Sequence, residues 1–212
     1  MISYIGSLVM KMNWRKWIAL LTLVVALLIT ALWQTGWMGL WKEGMAYIAN
    51  DTKDFTDKSG YVIHGEYSVT IDLSDLASNV GKELYNDGDH KIYVAWVQNS
   101  GSANSGGYEI GFRSCGPYSL SGATLISGVH HQALGPQMFT SRNVAQMTAE
   151  YKGKSYNGSE AGHGGLNYKN GDDFSFYIFP SDAYADNEVT VNESGQVRIA
   201  ISNLYKNVWS KV

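Results

Sequence analysis

Cys115, in Arg113-Ser114-Cys115-Gly116, is the only cysteine, and His163, in Gly162-His163-Gly164-Gly165, follows about fifty residues later. A thiol becomes a nucleophile when a histidine within hydrogen-bond reach takes its proton. A cysteine at a helix start gains further from the dipole, but Gly116-Pro117-Tyr118-Ser119-Leu120-Ser121-Gly122 reads as no helix. The adjacent pair His130-His131 would point its rings to opposite faces of a strand, which disfavours a shared metal. Neither an H-E-x-x-H signature nor a phosphate-binding glycine loop is present. The stretch Pro180–Asn187 holds Asp182, Asp186 and Asn187. Calcium takes about six to eight oxygen ligands, and a tight loop with these residues could supply several; an Asx turn bonding its own backbone is the competing reading. Tyr118, Tyr156, Tyr168 and Tyr184 fall in expected loops, where a tyrosine ring could stack on the face of a sugar.

The elements that must position these residues read mainly as strands. Tyr67, Val69, Ile71 and Leu73 alternate with polar residues within a strand over Tyr61–Leu73. Ser74–Tyr85 carries a helical stripe, Leu76, Val80 and Leu84, behind Ser74 as N-cap. Lys91–Gln98 is nearly continuously apolar, which suits a strand covered on both faces. Further strands are expected over Tyr108–Phe112, Asp173–Phe179, Gln196–Leu204 and Ala145–Lys152, the last with a helix behind Ser141 as the alternative, and Val189 and Val191 pair with Gln196–Leu204 as a hairpin. Ser114–Gln137 and Ser155–Gly165 are rich in glycine and polar residues and read as loops, apart from a short apolar piece at Ala123–Val129. No period of about 20 to 50 residues repeats, which disfavours a solenoid or propeller. Strands with turns between them and little helix indicate an all-β, antiparallel two-sheet sandwich of jelly-roll type, with long loops gathered at the ends of the sheets.

Ahead of that body stands an uncharged run from Trp17 to Trp41, whose core, Trp17–Trp33, is almost wholly apolar. A bilayer core of ~30 Å needs about 20 such residues in a helix, so residues 17–41 read as a transmembrane helix with an interfacial tryptophan extension. Lys11, Arg15 and Lys16 precede the run without an acid, which places residues 1–16 in the cytoplasm and the later domain outside. Trp14, Trp17, Trp33, Trp37 and Trp41 bracket the membrane as an aromatic belt, or as a seam against a partner helix. The apolar stretch Ile2–Met10 is too short to span and reads as interfacial, or as upstream of the true start if translation begins at Met10 or Met12. A cleavable signal peptide competes with a signal-anchor, but the apolar region is long and no clean small-residue cleavage site follows. Residues 42–60 then form a membrane-proximal linker and residues 61–212 the extracytoplasmic domain.

From Asp51 onward the chain holds 18 acidic and 12 basic residues, a net charge of −6, so it has no basic patch and nucleic acid is not an expected partner. One cysteine excludes an intrachain disulfide, leaving stability to packing or assembly. Asn50, Asn157 and Asn192 begin N-x-S/T sequons.

The text FSFYIFPSDAYADN, followed by SGQVRIAI, resembles the calcium-dependent galactose-binding lectin-like β-sandwich, in which a strand leads into a short Asp- and Asn-bearing loop before a final strand. The resemblance covers mainly residues 174–201. It departs from the family in ending Asp186-Asn187 where the family has Asn-Asn, and in the inserted EVTVNE. It implies calcium held by Asp182, Asp186, Asn187 and the Tyr184 carbonyl, with glycan as ligand. The expectation is therefore a single-pass membrane protein whose outer module binds a glycan or a surface protein and does not transform it, with Tyr156 and Tyr168 as ligand contacts. An accessory subunit packed on neighbouring membrane subunits is the alternative. A cell-wall hydrolase using Cys115 and His163 is the third.

Overall fold

The computed structural model describes residues 14–135 and 138–212. The expected tail and interfacial segment therefore fall, up to residue 13, outside the described residues. The described chain is mostly strand, arranged in several antiparallel sheets behind one apolar N-terminal helix.

That helix, α1, spans Trp14–Gln34. Its Lys16–Gln34 portion is long and apolar enough to cross a membrane, and none of it is buried by the protein. Two hydroxyls within it bond back to the preceding turn, Thr22 Oγ1 to the Ile18 carbonyl at 2.9 Å and Thr30 Oγ1 to the Ala26 carbonyl at 2.8 Å. Neither hydroxyl therefore needs water. Gly36, at φ 80°, breaks the helix and starts α2, Trp37–Glu43. Gly44, at φ 62°, breaks it again before α3, Met45–Asn50. Both breaks need a left-handed residue, which glycine supplies without a Cβ penalty.

The strands follow in chain order. The first six are β1 (Phe55–Thr56), β2 (Tyr61–Val62), β3 (Glu66–Asp72), β4 (Glu83–Asn86), β5 (Lys91–Asn99) and β6 (Tyr108–Cys115). Next come β7 (Tyr118–Ser119), β8 (Gly122–Ser127), β9 (Val129–Gly135), β10 (Met138–Asn143) and β11 (Gln146–Tyr151). The chain closes with β12 (Lys154–Asn157), β13 (Ser159–His163), β14 (Gly171–Tyr177), the short helix α4 (Ser181–Ala185), β15 (Gln196–Ser202) and β16 (Tyr205–Lys211).

One sheet runs β12-β11-β15-β3 and another β13-β14-β6-β5-β4. Val69, Ile71, Val197, Ile199 and Ile201 of the first join Val94, Ile110, Phe112, Phe174 and Phe176 of the second in one buried cluster. A third sheet, β1-β16-β8-β7 with β2 on β16, supports a second cluster, in which Phe55, Leu125, Leu166 and Trp209 meet Leu40, Met45 and Ile48 of α2 and α3. The β9–β10 hairpin completes the set.

Several expectations are corrected by this arrangement. Residues 42–60 are no slack linker: Met45 and Ile48 are fully buried, and Met45 N donates to the Lys169 carbonyl at 2.7 Å. Ser74–Tyr85 forms only a single 3₁₀ turn, Ala77–Asn79, before β4, because the Asn79 side chain holds Asp72 N and the Asp72 carbonyl and so ties the turn back to β3. Tyr61–Leu73 divides between two sheets, with β2 on β16 and β3 on β15. The polar stretches 114–137 and 155–165 contribute strands, because ladder partners compensate for weak intrinsic propensity. Val189 and Val191 form no hairpin with β15, which instead pairs with β3 and β11. Their segment is fastened by side chains, Asn99 Nδ2 and Tyr108 Oη both donating to the Val191 carbonyl.

Candidate functional site

β5 positions the most chemically suggestive surface of the body. Ile92, Val94 and Val97 are buried, while Tyr93 and Trp96 are partly exposed. Strict alternation would send residues 93 and 96 to opposite faces, but a β-bulge at Ala95 adds one residue between them: Val94 pairs with Phe112 and Trp96 with Gly111. Tyr93 and Trp96 thus share the face turned away from the core. This corrects the reading of Lys91–Gln98 as covered on both sides.

The ladder fixes the rest of that outer face. Tyr93, Arg113 and Asp173 lie in one row across β5, β6 and β14; Trp96, Gly111 and Ser175 lie in the next; Gln98, Glu109 and Tyr177 lie in the one beyond. The Trp96 indole rests on Gly111, where a Cβ would overlap its six-membered ring, and the Tyr177 ring rests on Gly106 in the same manner. Glycine beneath a large ring lets the ring lie along the sheet. Tyr168, from the loop before β14, donates its hydroxyl to Asp173 Oδ2 at 2.9 Å, which raises the phenol's pKa. The Arg113 guanidinium stacks on the Tyr168 ring with its carbon 3.1 Å from the centroid. The face therefore combines aromatic planes with hydrogen-bonding groups at their rims, a pattern suited to holding a ring-shaped polar molecule.

A second cluster has the composition of a hydrolase triad but not its geometry. Ser127 Oγ donates to both Asp172 oxygens, at 2.9 and 2.8 Å, and His131 Nε2 lies 2.5 Å from Asp172 Oδ2. The carboxylate is central, so serine and histidine both address it and not each other, and no base faces the hydroxyl. His131 and Asp172 side chains are fully buried, and His131 is enclosed by Phe139 and Trp209. Asn207 completes the cluster, accepting from His131 N and donating to the Val129 carbonyl. It is a buried clamp joining β8, β9, β14 and β16.

Cys115 and His163 are not brought together. His163 pairs with Phe174 and Phe174 with Phe112, so Cys115, three residues from Phe112, lies on the opposite face. Two strand spacings and three residues of rise separate their Cα atoms by roughly 14 Å. Burial pushes the Cys115 thiol up, against the smaller opposing effects of Arg113 and Asn170. His163 is engaged elsewhere, with Nδ1 2.6 Å from Glu160 Oε1 and Nε2 3.3 Å from the Ser141 carbonyl.

Asp182, Tyr184 and Asp186 lie on or beside α4, with Asn187 following at φ 56°. The Asp182 carbonyl accepts Asp186 N, and the Tyr184 carbonyl accepts Asn187 N at 3.2 Å. Among the described residues no group of three or more His, Cys, Asp or Glu side chains is disposed to hold a metal ion. Of the tyrosines, Tyr156 is buried edge-on against Phe179, which corrects its assignment as a ligand contact. Tyr184 points inward, its hydroxyl accepting from Tyr108 N. Tyr168 alone of the four reaches the aromatic face. His130 and His131 do diverge: His130 lies against the Tyr205 ring while His131 enters the buried clamp.

Tyr93, Trp96, Arg113 and Tyr177 escaped the reading of the sequence. The alternation of Phe112 with Arg113, and of Phe174 and Phe176 with Asp173, Ser175 and Tyr177, was the signal that could have found Arg113 and Tyr177. Comparison with protein-family models, with curated proteins and with solved structures finds no match to this chain.

Proposed function

We propose that the chain is a membrane-anchored glycan-binding module: an antiparallel two-sheet β-sandwich, tethered by α1 and presenting the outer face of β14-β6-β5 to the extracytoplasmic space. The observation that carries this reading is the Trp96 indole lying along the sheet over Gly111, with Tyr93, Tyr168 and Tyr177 around it. A pyranose has an apolar C–H face that packs on such a plane and rim hydroxyls that need partners, which Gln98, Glu109 and Asp173 supply. The polarity of α1's flank, Lys16 before the run and Lys42 with Glu43 beyond it, supports an outward-facing domain.

The test is isothermal titration of the full-length protein in lipid nanodiscs against a panel of oligosaccharides. At least one should bind, and Trp96→Ala should weaken it at least about ten-fold while the melting temperature shifts by only a few degrees. Binding that survives Trp96→Ala, or no binding to any member of the panel, removes the reading. Calcium dependence through Asp182, Asp186, Asn187 and the Tyr184 carbonyl is a separate proposal, supported by the resemblance of residues 174–201. It requires that EDTA dialysis lower the melting temperature and that calcium restore it; no change on either treatment rejects it.

A further inference from the structure

Every carboxylate on the outer face already has a partner from the protein itself. Gln98 Nε2 donates to Glu109 Oε2 at 2.7 Å, Tyr168 Oη to Asp173 Oδ2 at 2.9 Å, and Lys91 Nζ lies 3.1 Å from Glu83 Oε2. Arg113 is the exception among the charged groups there. Its Nε is buried without a hydrogen-bond partner, and among the described residues it enters no salt bridge, although Asp173 stands directly across from it on β14. The Tyr168 ring holds the guanidinium flat. A guanidinium pinned by stacking keeps its terminal N–H groups in a fixed plane, so a carboxylate can be met bidentately with little further ordering.

Arg113 and Gly111 are two residues apart on the same face of β6, about 7 Å along the strand. Since Trp96 covers Gly111, a sugar ring stacked on the indole carries its edge substituents toward Arg113. We infer that the face selects acidic sugars, with the ring on Trp96 and a ring-borne carboxylate, as in a uronic acid, on the Arg113 terminal nitrogens. This rests on the glycan reading above. An acidic peptide is the other carrier of carboxylates, but β5 and β6 lie inside the sheet with neighbours on both sides. Their backbone groups are spent on the ladder, so an added strand finds no open edge there.

The experiment titrates full-length protein in nanodiscs with a uronate oligosaccharide and with its carboxyl-reduced counterpart, identical except that each carboxylate is a hydroxymethyl group. The acidic form should bind about ten-fold more tightly at low salt, with the advantage shrinking as salt rises. Arg113→Gln should bring the two ligands level, whatever it does to the affinity they then share. Arg113→Lys should keep only part of the preference, because a point charge replaces the planar fork. Equal affinity of wild type for both ligands overturns the acidic preference while the glycan reading stands. Binding of neither overturns the acidic preference, and the glycan reading is then decided by the oligosaccharide panel alone. An unchanged preference in the folded variants, or displacement of the uronate by an equal concentration of tetra-aspartate, also overturns it. Should Arg113→Gln fail to fold, the Arg113→Lys ratio decides.

Discussion

The Glu193 carboxylate accepts hydrogen bonds from Lys152 Nζ and Tyr151 Oη, each at 2.7 Å, and from Thr190 N at 2.8 Å. The Lys152 contact leads in holding its pKa down at about 2, with burial opposing and Tyr151 and Thr190 adding to the depression. A carboxyl whose folded pKa lies below its ordinary value of 4.5 contributes stability at higher pH and surrenders it as pH falls. The loss should therefore run from about pH 4.5 down to about pH 2, and because Lys152 is largely exposed it amounts to about 1–2 kcal/mol. Thermal melts across that range should show a steeper decline in wild type than in Glu193→Gln; parallel curves would remove Glu193 from the acid response. Asp87 acts in the same direction, held at about 2 by His90 and Tyr85 against the raising effect of burial. At this scale little was legible in advance. Tyr151 and Glu193 are 42 residues apart, and Ser127 and Asp172 are 45. No local pattern announces partners at such separations.

Among the elements, α2 and α3 begin at two glycines with positive φ, and the second of them has no room for a side chain. At Gly44 a Cβ would run into the Lys169 backbone, and the residue sits at φ 62°. Gly44→Ala should cost about 2 kcal/mol or more, from left-handed strain together with the displaced Lys169 contact. Chemical denaturation of the detergent-solubilised chain would measure it, and a change below about 0.5 kcal/mol would show that the junction yields freely. The strands show what can be read from residue order and what cannot. DFSFYIF and QVRIAIS alternate cleanly and were found where they lie, as β14 and β15. KIYVAWVQ was found as a strand but assigned to the wrong environment, since the Ala95 bulge erases the alternation that would have exposed Tyr93 and Trp96. The 3₁₀ turn at Ala77–Asn79 was mistaken for a full helix because Leu76, Val80 and Leu84 share helical spacing, while the Asn79 side chain ends the turn early.

For the whole molecule, the antiparallel β architecture and the apolar leading helix were both legible, because each rests on a long periodic signal. The second buried cluster was not, because Leu40, Met45 and Ile48 are spread to either side of the charged pair Lys42-Glu43 and disclose their partners only in three dimensions. A chain beginning at Trp37 should keep the stability of the full body. One beginning at Asp51 should expose Phe55, Leu125, Leu166 and Trp209, bind a hydrophobic dye and melt several degrees lower. Equal melting temperatures for the two would show that α2 and α3 only decorate the surface.

Gly36 is followed by no slack. Tyr47 of α3 packs its ring on Gly39 and brings its hydroxyl to Gly36, and Trp41 lies beneath the Lys169 ammonium. These contacts fasten the chain to the body from Gly36 onward, so that any play between α1 and the aromatic plane is confined to the Gly36 junction. On the anchored glycan-binding reading proposed above, so short a mounting forgoes reach: a target must come to the plane, which cannot travel far to meet it. In exchange, and on that same reading, copies anchored in one membrane would stand at one height, and a long polymer passing over them would be gripped at many points without any copy having to search for it.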